Sequence, residues 1–165
     1  MKQVFLLRHG TADMGFSGSD KDRPLLPQGK KEITTLADQM VDRGYIPTCG
    51  FYSSARRTRE TSALVTVNFY GLDMACTDSL YNGSVGDLYE VLKSADDAHD
   101  SLLLIAHNPG IHGLAMFLAG QGKPEMIQKI AVSYQPGTFT VIQCSCERWS
   151  DLQPGLNEIG DVLIP

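Results

Sequence analysis

Two short stretches of the chain are apolar almost without interruption: Val4 to Leu7 (Val-Phe-Leu-Leu) and Ser101 to Ala106 (Ser-Leu-Leu-Leu-Ile-Ala). Such runs show no polar-apolar alternation, which is what a strand covered on both faces requires. A third run, Phe139 to Cys144, follows the turn Gln135-Pro136-Gly137. Between these runs the apolar positions change to helical spacing. Ile33, Leu36, Ala37, Met40 and Val41 mark a helix from Gly29 to Arg43 that stops at Gly44. Ala63, Leu64 and Val67 mark a second, with Ser54 as its expected N-cap and an end near Phe69. Leu88, Val91 and Leu92 belong to a short helix over Gly86 to Lys93. Ile111, Leu114, Ala115 and Leu118 belong to another, begun by Asn108-Pro109 and ending near Gly120. Cys49 to Tyr52 is a short strand, and Met74 to Thr77 and Val162 to Ile164 are candidate edge strands. Thr11 to Pro27, rich in Gly, Ser, Asp and Pro, is a long loop. Buried strands alternating with helices predict a three-layer α/β/α domain with a central, mostly parallel sheet. In such sheets ligands bind where strands end and helices begin.

Composition narrows the class. A chain of 165 residues is expected to form one domain over residues 1–165, with a sizeable core. Hydrophobic residues at 42% and charged residues at 20% exclude a disordered chain. A net charge of −5 argues against nucleic acid as a partner, because that needs a basic footprint. A local cluster of arginines can still hold a small anion. At the N-terminus the apolar run is ended by Arg8, too early for a signal peptide or a membrane span. The expected location is the cytoplasm, with no membrane partner. Cys49, Cys76, Cys144 and Cys146 make no CxxC pair, and are read as reduced thiols. Cys144 and Cys146 would share a strand face, but a second ligand pair for zinc is missing.

The chemistry gathers at the strand ends. The first strand ends in Arg8-His9-Gly10, and the strand at Ser101 ends in His107-Asn108-Pro109-Gly110. The short strand at Cys49 leads into Ser53-Ser54-Ala55-Arg56-Arg57-Thr58-Arg59-Glu60-Thr61. Two histidines and several arginines therefore meet at one sheet edge. A phosphate dianion needs several donors, and the guanidinium fork matches it. Helix N-termini add free N–H groups. A neutral imidazole is a competent nucleophile. A glycine after His9 would let the backbone pass close to a ligand. His9 alone could be a packed core residue, but Arg8 leaving a buried strand must find an anion. Helical spacing puts Arg57 and Thr61 on one face, while Arg56 and Arg59 point elsewhere. His99, in an acidic loop, and His112, on a helix surface, carry no such signal. No carboxylate stands at ligand spacing from the histidines, and a cluster this cationic repels a metal ion.

These residues resemble a known family. Leu7-Arg8-His9-Gly10 is similar to the signature of the histidine phosphatase (phosphoglycerate mutase-like) superfamily. Ser53 to Thr61 resembles its Ser-x-x-x-Arg-x-x-x-Thr element, which singles out Arg57. Ala106-His107-Asn108 resembles its second-histidine motif, and Arg23-Pro24-Leu25 followed by Gly29 its approach to the first helix. The resemblance spans residues 1 to 120 in order. It implies a phosphoglycerate mutase-like fold and a metal-independent, cofactor-free phosphatase. His9 would attack phosphorus and become phosphohistidine, and Arg8, Arg57 and His107 would hold the phosphoryl oxygens. Gly10, Asn108 and Arg23 complete the expected substrate contacts. Water would then hydrolyse the intermediate.

One departure bears on the substrate. Many members carry a carboxylic acid that protonates the leaving oxygen. The matching stretch here, Asp78-Ser79-Leu80-Tyr81-Asn82-Gly83-Ser84, has none in place. Imidazole leaves far more readily than an alkoxide. Together with the short chain, this resembles the SixA-type phosphohistidine phosphatases. The expected partner is a phosphorylated protein domain, such as a histidine phosphotransfer domain in two-component signalling. Two alternatives stand beside it. One is a phosphomonoesterase for small phosphorylated metabolites, with Asp78, Asp87 or Asp13 as acid. The other is a non-catalytic phosphate-sensing module. The sequence implies no oligomeric state.

Overall fold

A computed structural model describes residues 1–165. Seven strands and five helices follow one another along the chain: β1 (Lys2–Arg8), α1 (Pro27–Asp42), β2 (Cys49–Ser53), α2 (Arg56–Thr66), β3 (Asp73–Thr77), α3 (Val85–Lys93), β4 (Ser101–Ala106), α4 (Gly110–Leu118), β5 (Ala119–Gly122), α5 (Pro124–Val132), β6 (Phe139–Cys144) and β7 (Asn157–Leu163). They form one sheet in the order β3-β2-β4-β1-β6-β7-β5. Only β6 runs against the rest, antiparallel to both β1 and β7.

The uninterrupted apolar runs now have their reason. Successive side chains on a strand point to opposite faces. Val4, Leu6, Leu102 and Leu104 feed one buried cluster, which includes Leu88 of α3 and Leu114 of α4. Phe5, Leu7, Leu103 and Ile105 feed the other, with Ile33 and Met40 of α1 and Val65 of α2. Each such side chain contributes about 2 kcal/mol when fully buried. Helices on both faces make the three layers that the apolar pattern predicts.

Several boundaries differ from expectation. α1 begins at Pro27, two residues before Gly29, with proline in the first turn where its missing N–H costs nothing. The N-cap of α2 is Ala55 rather than Ser54, without a side-chain cap bond, and this helix ends at Thr66. Asn108 does not cap α4; the cap position is Pro109. The side-chain cap that does form is at α3, where Ser84 and Asp87 make a reciprocal capping box. β7 is longer than Val162 to Ile164, and it lies inside the sheet, with β5 at the edge. The apolar pattern predicts neither β5 nor α5. Pro124 at the start, Glu125 in the first turn and Ile127 and Ile130 three residues apart were the available signal for α5. Cys146 lies past the end of β6, so it shares no strand face with Cys144.

Candidate active site

β1 and β4 lie side by side in parallel register, with Arg8 opposite Ala106. The next residues, His9 and His107, therefore leave the sheet at the same level. The His9 N–H donates to the Ala106 carbonyl at 3.2 Å, and the two imidazole rings lie 5.1 Å apart, centroid to centroid. β2 flanks β4 on its other side. It ends in Ser53, whose Oγ lies 2.7 Å from Nε2 of His107.

α2 then carries the spacing of the Ser-x-x-x-Arg-x-x-x-Thr element into three dimensions. Ser53 holds His107, and Arg57 is buried, in the first turn of the helix. Thr61 one turn later accepts the Gly10 N–H at 3.2 Å and donates to the Arg57 carbonyl at 2.7 Å. The element thus ties the β1 turn, the β4 turn and α2 together. Arg56 is exposed and pairs with Glu60 at 2.8 Å, which leaves Arg57 as the arginine of this helix that faces the site.

Arg8, His9, Arg23, Arg57, His107 and Asn108 all line one cavity of about 330 Å³. Gly10, the remaining expected contact, does not line it. A Cβ on Gly10 would meet Ile33 Cγ1 at 2.8 Å and the Gly29 carbonyl at 3.0 Å. The close approach of α1 is by itself a reason for glycine at this position. Its carbonyl has a separate role: it accepts from Nδ1 of His9 at 2.7 Å. A carbonyl can only accept, so His9 carries its proton on Nδ1 and leaves the Nε2 lone pair bare.

Both histidines are held neutral. Burial depresses the pKa of His9 to about 3, helped by His107, Arg57 and Arg8 and opposed by the Gly10 carbonyl. Burial, then the charges of Arg57, Arg8 and Arg23, likewise depress His107 to about 3, against a pull from Asp20. A neutral His107 can still donate: if the Ser53 hydroxyl donates to Nε2, the proton sits on Nδ1. That Nδ1, the Nε atoms of Arg8 and Arg57, and Oδ1 of Asn108 are all buried without a hydrogen-bond partner. Buried polar atoms are rarely left so, and four of them around one cavity mark a place built for a polar guest.

Sequence reasoning missed several residues here. The loop after α5 supports the site from behind: the Tyr134 carbonyl accepts from Arg8 at 2.8 Å and from Asn108 at 2.9 Å. Asn82, in the left-handed region at φ 55°, lines the cavity in the segment where an acid was sought. Asp20 lines it too, from a short 3-10 turn inside the long loop. Its carboxylate bonds Tyr81 at 2.7 Å, Arg23 at 3.0 Å and Arg57 at 3.2 Å, and these bonds, with Tyr81 first, hold its pKa at about 2. It is the one carboxylate in the lining. Asp13, Asp78 and Asp87 are not in the lining: Asp13 turns onto Gly15, Asp78 pairs with Lys21 and Asp87 is spent on the α3 cap. No group of three or more His, Cys, Asp or Glu residues comes together in a way that could hold a metal ion. No helix is long and apolar enough to cross a membrane.

Comparison with known proteins agrees with this geometry. The model of the histidine phosphatase superfamily, branch 1, matches residues 4–102. A solved structure from Nakamurella multipartitia, provisionally designated phosphohistidine phosphatase SixA, is 26% identical. It superposes with a TM-score of 0.85 over 99% of this chain and 96% of that one. A counterpart from Agrobacterium tumefaciens with the same provisional designation is 27% identical, with a TM-score of 0.79 over 99% and 98% of the two chains. An uncharacterised protein of Mycobacterium tuberculosis (strain ATCC 25618 / H37Rv) is 25% identical over 90% of this chain and 93% of its own length.

Proposed function

Since the chain belongs to the histidine phosphatase superfamily, branch 1, whose membership implies phosphatase chemistry, we propose that it removes the phosphoryl group from phosphohistidine in a protein partner. The observation that carries the substrate class is the state of the cavity's one carboxylate. Asp20, with a pKa near 2, is an anion at neutral pH and has no proton to give. An alkoxide leaving group needs a strong acid partner; an imidazole leaving group does not. The carboxylates that would serve the phosphomonoesterase alternative, Asp13, Asp78 and Asp87, lie outside the cavity lining.

The residues divide the chemistry as follows. Nε2 of His9 attacks phosphorus in line, and the bond from phosphorus to the substrate nitrogen breaks. Nδ1–H of His9 remains on the Gly10 carbonyl, which steadies the imidazolium that forms. The guanidinium groups of Arg8 and Arg57 and Nδ1–H of His107 hold the phosphoryl oxygens. Such preorganised donors favour the transition state because they need no reorientation as charge spreads. Water then attacks phosphorus, frees phosphate and restores neutral His9.

The test is turnover. Purified protein should clear a phosphohistidine-bearing protein domain or phosphoramidate faster than p-nitrophenyl phosphate or sugar phosphates, and acid-labile phosphate should be trapped on His9. Faster clearance of sugar phosphates would overturn the substrate class. Absence of a phosphoenzyme with every substrate would favour the sensing module instead.

A further inference from the structure

Asp20 is the unexpected member of this cavity. Three guanidiniums line the same space, from Arg8, Arg23 and Arg57. The Asp20 carboxylate opposes them with a single negative charge. Its Oδ1 accepts from Nε of Arg23, and its Oδ2 from Arg57 and from the Tyr81 hydroxyl. An ionised carboxylate offers about four acceptor sites, so one remains on Oδ1. The backbone carbonyl of Asp20 separately accepts from Arg57 at 2.7 Å. The Asp20 side chain is 54% exposed, whereas His9 is 6% exposed. The carboxylate therefore stands at the cavity mouth and the nucleophile at its floor. In-line displacement sends the departing group away from the attacking nitrogen, which here means toward the mouth. A fixed anion at that point repels an oxyanion and attracts a cation.

We propose that Asp20 is a specificity-determining residue that receives the protonated imidazole ring of a phosphohistidine substrate and weakens the hold of the cradle on free phosphate. The proposal rests on the phosphohistidine reading above and deepens it. The substrate ring carries its proton on the nitrogen remote from phosphorus. As Nε2 of His9 bonds to phosphorus, the substrate phosphorus–nitrogen bond breaks and its electron pair returns to the ring. The ring leaves neutral, keeping its one proton. The positive charge has moved to the phosphorylated His9 ring, whose Nδ1–H stays on the Gly10 carbonyl. Asp20 attracts the substrate ring in the bound complex and lets go of it as the charge departs. Loss of that attraction therefore raises KM without raising the barrier of the chemical step. The same negative charge speeds release of the phosphate product, which otherwise faces three guanidiniums.

Asp20→Asn removes the charge together with one acceptor. The carboxamide keeps its one oxygen for Tyr81 and Arg57, its NH2 replaces the oxygen that accepts from Nε of Arg23, and the backbone bond to Arg57 is untouched. KM for a phosphohistidine protein should rise roughly two- to fivefold, the scale of one charge pair at a partly exposed site. The value of kcat should not fall by more than about twofold. The inhibition constant for inorganic phosphate should fall by a similar factor, roughly two- to fivefold, because the anion site loses an internal competitor. If Asp20 merely positions the arginines, phosphate will bind the variant more weakly, and the proposal is overturned. An unchanged KM for phosphohistidine also overturns it. A wild-type protein that shows no preference for phosphohistidine defeats the parent reading, and this is visible before any variant is made.

Discussion

At the residue scale, the site turns two ordinary imidazoles into groups with different tasks by choosing their neighbours. Nδ1 of His9 is committed to a backbone carbonyl, so Nε2 is the only nitrogen free to react. Nε2 of His107 is committed to Ser53, so Nδ1 is the nitrogen left for a ligand. The arginines are separated just as sharply. Arg57 is 4% exposed and aimed inward, whereas Arg56, one residue away, is paired with Glu60 outside. His9→Ala should abolish turnover and the phosphoenzyme while leaving the circular dichroism spectrum intact. Arg57→Ala should cost about 2–4 kcal/mol of transition-state stabilisation, the range for a lost oxyanion donor, measured from kcat/KM. Arg56→Ala should change kcat/KM by less than about twofold, since an exposed i,i+4 pair is worth only a few tenths of a kcal/mol. A larger loss at Arg56 than at Arg57 would contradict the geometry.

At the element scale, the site depends on how turns and helices are tied, and the ties are single bonds. Thr61 on α2 connects to the β1 turn through the Gly10 N–H. The approach of α1 to that turn is closer than a side chain permits: a Cβ on Gly29 would lie 2.2 Å from the Thr11 carbonyl. Thr61→Val keeps the shape but removes the acceptor, leaving the Gly10 N–H buried and unpaired. That should cost about 1–3 kcal/mol in urea unfolding. It should also lower kcat through the loosened His9 ring, with the helix content unchanged. A variant with wild-type stability and kcat would show that this tie does not hold the turn. The loop after α5 matters for the same reason, since its Tyr134 carbonyl steadies both Arg8 and Asn108.

At the scale of the whole molecule, the protein buries two titratable rings in a neutral state, and acid reverses that choice. In the unfolded chain a histidine takes up its proton near pH 6.5, whereas in the fold His9 and His107 resist it down to about 3. The unfolded state therefore binds more protons between these limits, and stability falls as pH drops through that window. The slope is about 1.4 kcal/mol per pH unit for each histidine. Between pH 7 and pH 5 the two together should cost roughly 2–4 kcal/mol, read as a falling urea midpoint in phosphate-free buffer. A midpoint that holds steady over this range would mean that the rings are not buried as described. As for origins, the apolar runs at β1, β4 and β6 and the helical spacing of α1 to α4 were legible because burial on both faces, or on one helical face, writes itself into every position of an element. The Arg-His-Gly and His-Asn-Pro turns were legible because their chemistry is local to a few residues. β5, α5, the capping residues and the packing reason for Gly10 were not, because they depend on which surfaces meet across the sheet. Asp20 entered the site for the same reason, as a loop folded back, and so did the bond between Ser53 and His107, as one strand ended beside another. Local propensity and residue chemistry act along the chain and can be read from it; tautomers, depressed pKa values and the pairing of distant charges arise only from proximity, which the packed structure alone supplies.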